Sequence, residues 1–118
     1  MIGHLGIYVD DILKSDDFYR PLLEVIGYDT IISVPQCRAY GKNGIPFFEI
    51  YTGKPKTSPI HVAFMVDSKE LVEAFYRTGL SLGAQDNGAP GYRHYFPNYY
   101  ASFLIDHHGH NLEALYFG

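Results

Sequence analysis

The sequence predicts an α+β fold made of two paired β-α-β-β-β modules. The main observation is an internal repeat: HLGIYVDDILKSDDFYR, beginning at His4, aligns with HVAFMVDSKELVEAFYR, beginning at His61, at a constant offset of 57 residues. Self-similarity at a fixed offset is typical of a repeated structural unit. The second observation is length, because half of a 118-residue chain is too short to bury a useful core alone. The two modules should therefore pair.

Each module is predicted to begin with a strand. In residues 4–9, and again in residues 61–66, branched or aromatic side chains alternate with the others, which is the pattern of a strand with one buried face. The branched and aromatic face should pack against the helix that follows. His4 and His61 open these strands, so both histidines should point to the opposite side of the sheet.

A helix is predicted after each first strand. In the second module Ser68 is a good N-cap, apolar residues then recur at helical spacing, and Gly83 is the expected stop. In the first module either Asp11 or Ser15 can serve as the N-cap. Pro21 has no backbone N–H donor, so we expect a kink or a restart of the first helix there.

Short strands should follow each helix and complete the module. They are predicted at residues 28–33, 37–40 and 46–51 in module one, and at 84–87, 100–105 and 111–117 in module two. The segment 86–100 is rich in glycine, proline and tyrosine and is expected to be an irregular loop. One domain spanning 1–118 should thus contain module one at 1–52, a polar, proline-containing linker at 53–59 and module two at 60–118.

Two turns are predicted between strands, at residues 41–44 (GKNG) and 106–109 (DHHG). Three histidines cluster at the second turn: His107, His108 and His110. Such a cluster can bind a metal ion, but at a hairpin it is more often a solvated turn. The sequence therefore favours a turn here over a metal site.

A carboxylate stands among apolar residues in the final strand of each module. Glu49 in IPFFEIY and Glu113 in HNLEALYF are related by an offset of 64, and alternation can place each on the face used by the histidines. A buried carboxylate must be paired, protonated or bound to a metal. Two His and two Glu facing inward across a pseudo-twofold axis would hold a divalent cation such as Zn, Ni, Co, Mn or Fe.

Together these features resemble the vicinal oxygen chelate superfamily, which contains glyoxalases, bleomycin resistance proteins and ring-cleaving dioxygenases. The resemblance lies in the two repeated segments and in NYYASFLIDHHGHNLEALYF, which is similar to the D-x-x-G-H-N-[IL]-E ending of glyoxalase-like members. It implies a curled mixed sheet around a central cavity and, as is usual in the family, a homodimer. It also implies metal ligands at His4, Glu49, His61 and Glu113.

The resemblance implies a metal-dependent glyoxalase-like enzyme, of the lyase or isomerase type, that chelates a small oxygenated substrate. Glu113, or else Glu49, would be the catalytic base. One alternative is an Fe(II) ring-cleaving dioxygenase, which normally uses two His and one carboxylate; another is a metal-free drug-binding protein of the bleomycin resistance type. Five residues are candidates for contact with an anionic or aromatic substrate: Arg93, His94, Tyr95, Tyr99 and Arg38.

Composition and charge argue against several other classes of function. A net charge of −4 and the lack of a basic run give no support for nucleic-acid binding. No apolar run is long enough to span a bilayer and no signal peptide is evident, so we expect no membrane association. The single cysteine, Cys37, fits a reducing cytoplasm, where we expect the protein to reside.

Overall fold

The computed structural model describes residues 1–118 and confirms the α+β class. The elements in chain order are β1 (Leu5–Tyr8), α1 (Ile12–Val25), β2 (Asp29–Val34), β3 (Cys37–Lys42), β4 (Ile45–Tyr51), β5 (His61–Met65), α2 (Lys69–Ser81), β6 (Gln85–Arg93), β7 (Tyr99–Ile105) and β8 (Asn111–Phe117). The chain forms two compact units, Met1–Thr57 and Ser58–Gly118. Neither helix has the length and hydrophobicity of a membrane span.

The two units repeat one topology, which confirms the predicted β-α-β-β-β modules. The strand order is β1-β4-β3-β2 in the first sheet and β5-β8-β7-β6 in the second. In each sheet the first strand pairs in parallel with the last, and the remaining pairs are antiparallel. The parallel pairing places Gly6 opposite Glu49 and Ala63 opposite Glu113, so the first strand of each module runs beside the strand that carries the glutamate.

Helix α1 begins at the N-cap Asp11, whose side chain accepts a hydrogen bond from the backbone N–H of Lys14 at 3.1 Å. The helix continues through Pro21, so the alternative of a restart there is wrong. The reason is packing on both sides of the proline: Phe18, Tyr19, Leu22 and Leu23 are all buried. Their burial stabilises the helix more than the missing hydrogen bond weakens it.

Helix α2 begins as predicted at Ser68, whose hydroxyl accepts a hydrogen bond from the N–H of Leu71 at 3.2 Å. It ends just before Gly83, whose φ of +100° is the left-handed conformation that glycine adopts without strain. The helix packs closely on the sheet at Gly79, where a Cβ would lie 2.2 Å from the side chain of Leu104. Val72 and Phe75 are completely buried beside it.

The expected irregular loop at 86–100 is wrong for its first half, because β6 continues to Arg93 and pairs with β7. The strand accommodates its glycines and proline in two ways. The register shifts on either side of Gly88, whose φ is +151°. In addition, β6 is an edge strand, where Pro90 costs no central ladder hydrogen bond.

A buried histidine fixes the start of β5 against β8. The ring Nδ1 of His110 accepts the N–H of Ile60 at 3.1 Å, and the N–H of His110 donates to the carboxylate of Asp106 at 2.8 Å. The N–H of Asn111 then donates to the carbonyl of Ile60 at 2.8 Å. Because Ile60 directly precedes His61, these hydrogen bonds fix the backbone position from which the His61 side chain projects.

Candidate functional site

In module two, His61 and Glu113 meet on one face of the sheet. The imidazole Nε2 lies 2.9 Å from the carboxylate Oε1. Their strands are neighbours, and Glu113 stands opposite Ala63, whose small side chain leaves room for the contact. The glutamate side chain is 2% exposed whereas that of the histidine is 50% exposed. The imidazole of His61 therefore lies between the buried carboxylate and solvent.

The hydrogen bond at Nδ1 of His61 determines whether Nε2, the nitrogen that faces Glu113, is a donor or an acceptor. Nδ1 lies 3.2 Å from the backbone carbonyl of Asn111, which can only accept, so Nδ1 carries a proton. In the neutral ring Nε2 is then an acceptor that faces a second acceptor, Oε1 of Glu113. Such a pair needs a proton between the two atoms, on Nε2 or on the carboxyl group, or a metal ion that binds both. The backbone bond to Nδ1 is the arrangement commonly found behind metal-ligating histidines.

Module one contains a second His–Glu pair, at a longer distance. Nε2 of His4 lies 3.6 Å from Oε1 of Glu49, and the glutamate side chain is 7% exposed. His4 precedes β1 rather than lying in it, and its side chain is 58% exposed. In each module one predicted histidine thus lies near one predicted glutamate.

A tyrosine holds each glutamate, which the sequence analysis did not anticipate. The hydroxyl of Tyr99 donates to Oε2 of Glu113, leaving Oε1 to His61. The hydroxyl of Tyr51 donates to Oε1 of Glu49, the same oxygen that faces His4. The signal for Tyr51 was its position two residues after Glu49 in one strand. The partner of Glu113 lies on a neighbouring strand and could not be found without the register.

Gly6 makes the tyrosine contact in module one possible. A Cβ at this position would lie 2.7 Å from the ring of Tyr51. The ring therefore crosses β1 at its glycine and is also in contact with Tyr8, at a centroid separation of 5.7 Å. A glycine in a strand is typical of places where another group approaches the backbone closely.

Burial and the hydrogen bonds to the carboxylates both raise the pKa of the two tyrosines. The hydrogen bond to Glu49, followed by burial, raises the pKa of Tyr51 above the usual range for a phenol. For Tyr99 burial is the larger cause, and the hydrogen bond to Glu113 adds to it in raising the pKa. Both hydroxyls are consequently fixed as donors, each with its proton directed at a carboxylate.

Tyr99→Phe is expected to destabilise the fold by about 1 kcal/mol at neutral pH, because it removes one hydrogen bond to a buried carboxylate. A raised pKa in the folded state gives a contribution that is complete below the unfolded value of about 10 and is lost as pH rises towards the folded value. Urea unfolding at pH 7 and at alkaline pH should therefore show the wild-type advantage shrinking above about pH 10. Tyr116→Phe is the matched control; an equal effect there would contradict the prediction.

Of the four predicted substrate-contact residues of module two, two lie on the Glu113 face of the sheet and two lie in the turn after β6. Arg93 and Tyr99 stand opposite each other across β6 and β7 and share the face of Glu113. Tyr95 lies in the turn after β6, with its ring 5.6 Å from that of Tyr99. His94 is exposed in the same turn. The face also carries Phe103, whose ring stacks on His61 at 6.3 Å.

Arg38 is not brought to the Glu49 face. It stands opposite Ile50 across β3 and β4, whereas Glu49 stands opposite Ala39, so the two side chains project from opposite sides of the sheet. Its guanidinium Nε lies 3.9 Å from the carboxylate of Asp16 on α1. The side chain is 11% exposed. The side chain is therefore largely buried, because the helix covers this face.

No three His, Cys, Asp or Glu side chains of the chain are grouped closely enough to hold a metal ion. This includes the histidines of the 106–109 turn, where the rings of His107 and His108 lie 4.3 Å apart. Each module by itself therefore offers one nitrogen and one carboxylate, which is half of the ligand set that the sequence predicts.

No protein-family model matches the chain, and no curated protein matches it. Several solved structures, however, match the chain over nearly its whole length. A glyoxalase/bleomycin resistance protein from Albidiferax ferrireducens T118 has a TM-score of 0.82 and 26% identity, covering 97% of this chain and 96% of its own. A glyoxalase/bleomycin resistance protein/dioxygenase family enzyme from Burkholderia phytofirmans PsJN has a TM-score of 0.75 and 20% identity, covering 99% and 98%.

A third similar structure is the fosfomycin resistance protein FosX from Listeria monocytogenes, with a TM-score of 0.70 and 19% identity, covering 98% of this chain and 92% of its own. The matches span the whole chain, including both modules. The family that the repeat and the final strand suggested is thus the family of its structural neighbours. The chain therefore has the fold of the vicinal oxygen chelate superfamily of glyoxalase, bleomycin resistance and dioxygenase proteins, to which its structural neighbours belong.

Proposed function

We propose that the protein is a metal-dependent glyoxalase-like enzyme, of the lyase or isomerase type, that acts on a small oxygenated substrate. The ligands would be His4, Glu49, His61 and Glu113, and the ion Zn, Ni, Co, Mn or Fe. The observation that carries the proposal is the pair formed by His61 and Glu113, repeated by a second pair in module one. The two half-sites would combine within one chain or between the chains of a homodimer.

The donor atoms of module two fit a divalent ion. Two ligand atoms at about 2.1 Å from one metal, at right angles to each other, are about 3.0 Å apart. Nε2 of His61 and Oε1 of Glu113 are 2.9 Å apart. A metal between them would also resolve the two facing acceptors described above. Two imidazoles and two carboxylates would neutralise the ion and leave room for substrate oxygens.

The residues of this face supply the remaining chemistry. A bound divalent ion would act as a Lewis acid that chelates two adjacent oxygens of the substrate. Glu113 is the proposed base: once Oε1 is displaced from the ion, it would take a proton from a hydroxyl-bearing carbon next to a carbonyl and return it to the former carbonyl carbon, while the hydroxyl proton passes to the other oxygen, a net isomerisation. Tyr99 would hold Oε2 during both transfers. The stacked ring of Phe103 would limit the access of water beside His61.

A second candidate, an Fe(II) ring-cleaving dioxygenase, is favoured by one specific observation. The hydroxyl of Tyr51 donates to the same Glu49 oxygen that faces His4. If Glu49 is kept from the metal by this bond, the remaining set is His4, His61 and Glu113, the two-histidine, one-carboxylate set of non-haem iron oxygenases. The open position would then be available for O₂.

Metal analysis of the purified protein tests the proposal. We expect about one divalent ion per chain, as four ligands require. Isomerisation of the hemithioacetal of methylglyoxal and a thiol should stop when the ion is chelated and return when it is restored. Oxygen consumption with catechol and Fe(II) would favour the second candidate instead. A protein that takes up no metal but binds an aromatic ligand tightly would contradict both and indicate sequestration.

A further inference from the structure

A cationic side chain lies on the Glu113 face without an acidic partner. Arg93 and Tyr99 are opposite one another in the β6–β7 register, and Phe103 is opposite Glu113 in the β7–β8 register. The guanidinium carbon of Arg93 lies 5.3 Å from the centre of the Phe103 ring. That ring in turn stacks on the imidazole of His61. The guanidinium, phenyl and imidazole groups thus form a continuous row beside Glu113.

Arg93 is held in place by backbone oxygens. Its Nη1 donates to the carbonyl of Gly91 and its Nη2 to that of Ala89, each at 2.8 Å. The glycines of β6 make the space: a Cβ on Gly91 would lie 3.2 Å from Nη1, and a Cβ on Gly88 would lie 3.1 Å from Nη2. The guanidinium therefore occupies a cradle that ordinary side chains would fill.

The charge of this guanidinium is not balanced by a carboxylate within module two. No carboxylate of module two lies within 4 Å of Arg93, whereas in module one Arg20 and Arg38 are both within that distance of Asp16. Carbonyl oxygens satisfy two of its five N–H donors and carry no full negative charge. The side chain is half-buried, so the remaining donors are accessible to a ligand. A fixed, partly desolvated guanidinium is well suited to a carboxylate or phosphonate.

We infer that the substrate carries an anionic group, a carboxylate or a phosphonate, and that Arg93 binds it. The inference rests on the proposed function, since it places the rest of the substrate by the His61–Glu113 pair. The apolar body of the substrate would lie along Phe103, between the anion at Arg93 and the chelating oxygens. Arg93 would thus be a specificity-determining residue that selects anionic over neutral oxygenated compounds.

Catechol and 3,4-dihydroxybenzoate test the inference, because they share adjacent oxygens and a ring and differ by one carboxylate. Their dissociation constants are measured by titration calorimetry on protein loaded with its metal. We expect 3,4-dihydroxybenzoate to bind about tenfold more tightly, as a charge-assisted bond implies. Arg93→Met should abolish this preference. Arg77→Met, which removes an exposed arginine on α2, should preserve it.

A second variant keeps the charge and disturbs only its position. Gly91→Ala places a methyl group against Nη1 and should reduce the preference part of the way. Equal binding of the two compounds by the wild type, or a preference that survives in Arg93→Met, would overturn the inference. Failure of the proposed function has a different signature: binding of both compounds would then be unchanged when the metal is removed.

Discussion

Glu113→Gln is expected to release the metal and to lower turnover by about 100-fold or more, the loss typical when a catalytic acid–base group is removed. The glutamine keeps the shape of the side chain and can still accept the hydroxyl of Tyr99, but it brings no negative charge to the ion. Its amide group can donate to Nε2 of His61, so the buried position stays satisfied. The free energy of unfolding of the metal-free protein should therefore change little.

Metal content, turnover and urea unfolding of the same preparation check this prediction. Glu73→Gln is the matched control, because Glu73 also accepts a tyrosine hydroxyl, that of Tyr100 at 2.8 Å, but on the helix side of the sheet. The control should retain both metal and activity. A Glu113→Gln protein that keeps its metal would contradict the proposed ligand set. A comparison with Glu49→Gln is informative, since a much smaller effect there would favour the three-ligand iron site.

Gly41→Ala is expected to destabilise module one by about 3 kcal/mol, the upper range for overpacking a buried position. Gly41 is buried in β3, and a Cβ there would lie 1.8 Å from the backbone carbonyl oxygen of Ile45. Backbone atoms of β4 cannot move away as a flexible side chain could. The β3–β4 hairpin would have to shift, and with it the strand that carries Glu49.

Urea unfolding monitored by circular dichroism measures the effect, with Gly3→Ala as the control. Gly3 has no heavy atom within 4 Å of an added Cβ, so its replacement should alter the free energy of unfolding by less than about 0.5 kcal/mol. Equal midpoints for the two variants would show that the hairpin can adapt and that the close approach at Gly41 is not required.

The same hairpin shows the limit of local sequence signals. The turn was predicted at residues 41–44, but Gly41 and Lys42 continue β3 and the reversal is made by two residues only. Asn43 and Gly44 have φ values of +54° and +76°, as a two-residue hairpin loop with positive φ at both positions requires. The composition indicated a turn correctly. The glycine that seemed part of it serves a contact with the next strand instead.

Periodicity within one strand determined the candidate pairs. Alternation along β1, β4, β5 and β8 requires only the local backbone geometry of a strand. It was enough to predict that His61 and Glu113, and likewise His4 and Glu49, share a face, and the two pairs lie 2.9 and 3.6 Å apart. The repeat supplied the topology of both modules for the same reason, since each copy has the same local pattern.

Contacts between strands were decided only by the tertiary structure. Tyr99 reaches Glu113, and Arg93 reaches Phe103, through the registers of β6, β7 and β8, which bulges shift at Gly88. Arg38 pairs with Asp16 across the helix–sheet interface. No local pattern encodes these partners, because a shift of one residue in register moves every side chain of a strand to the other face. The sequence alone thus determined which residues could form the candidate site, and folding decided which groups contact them and where the guanidinium of Arg93 lies.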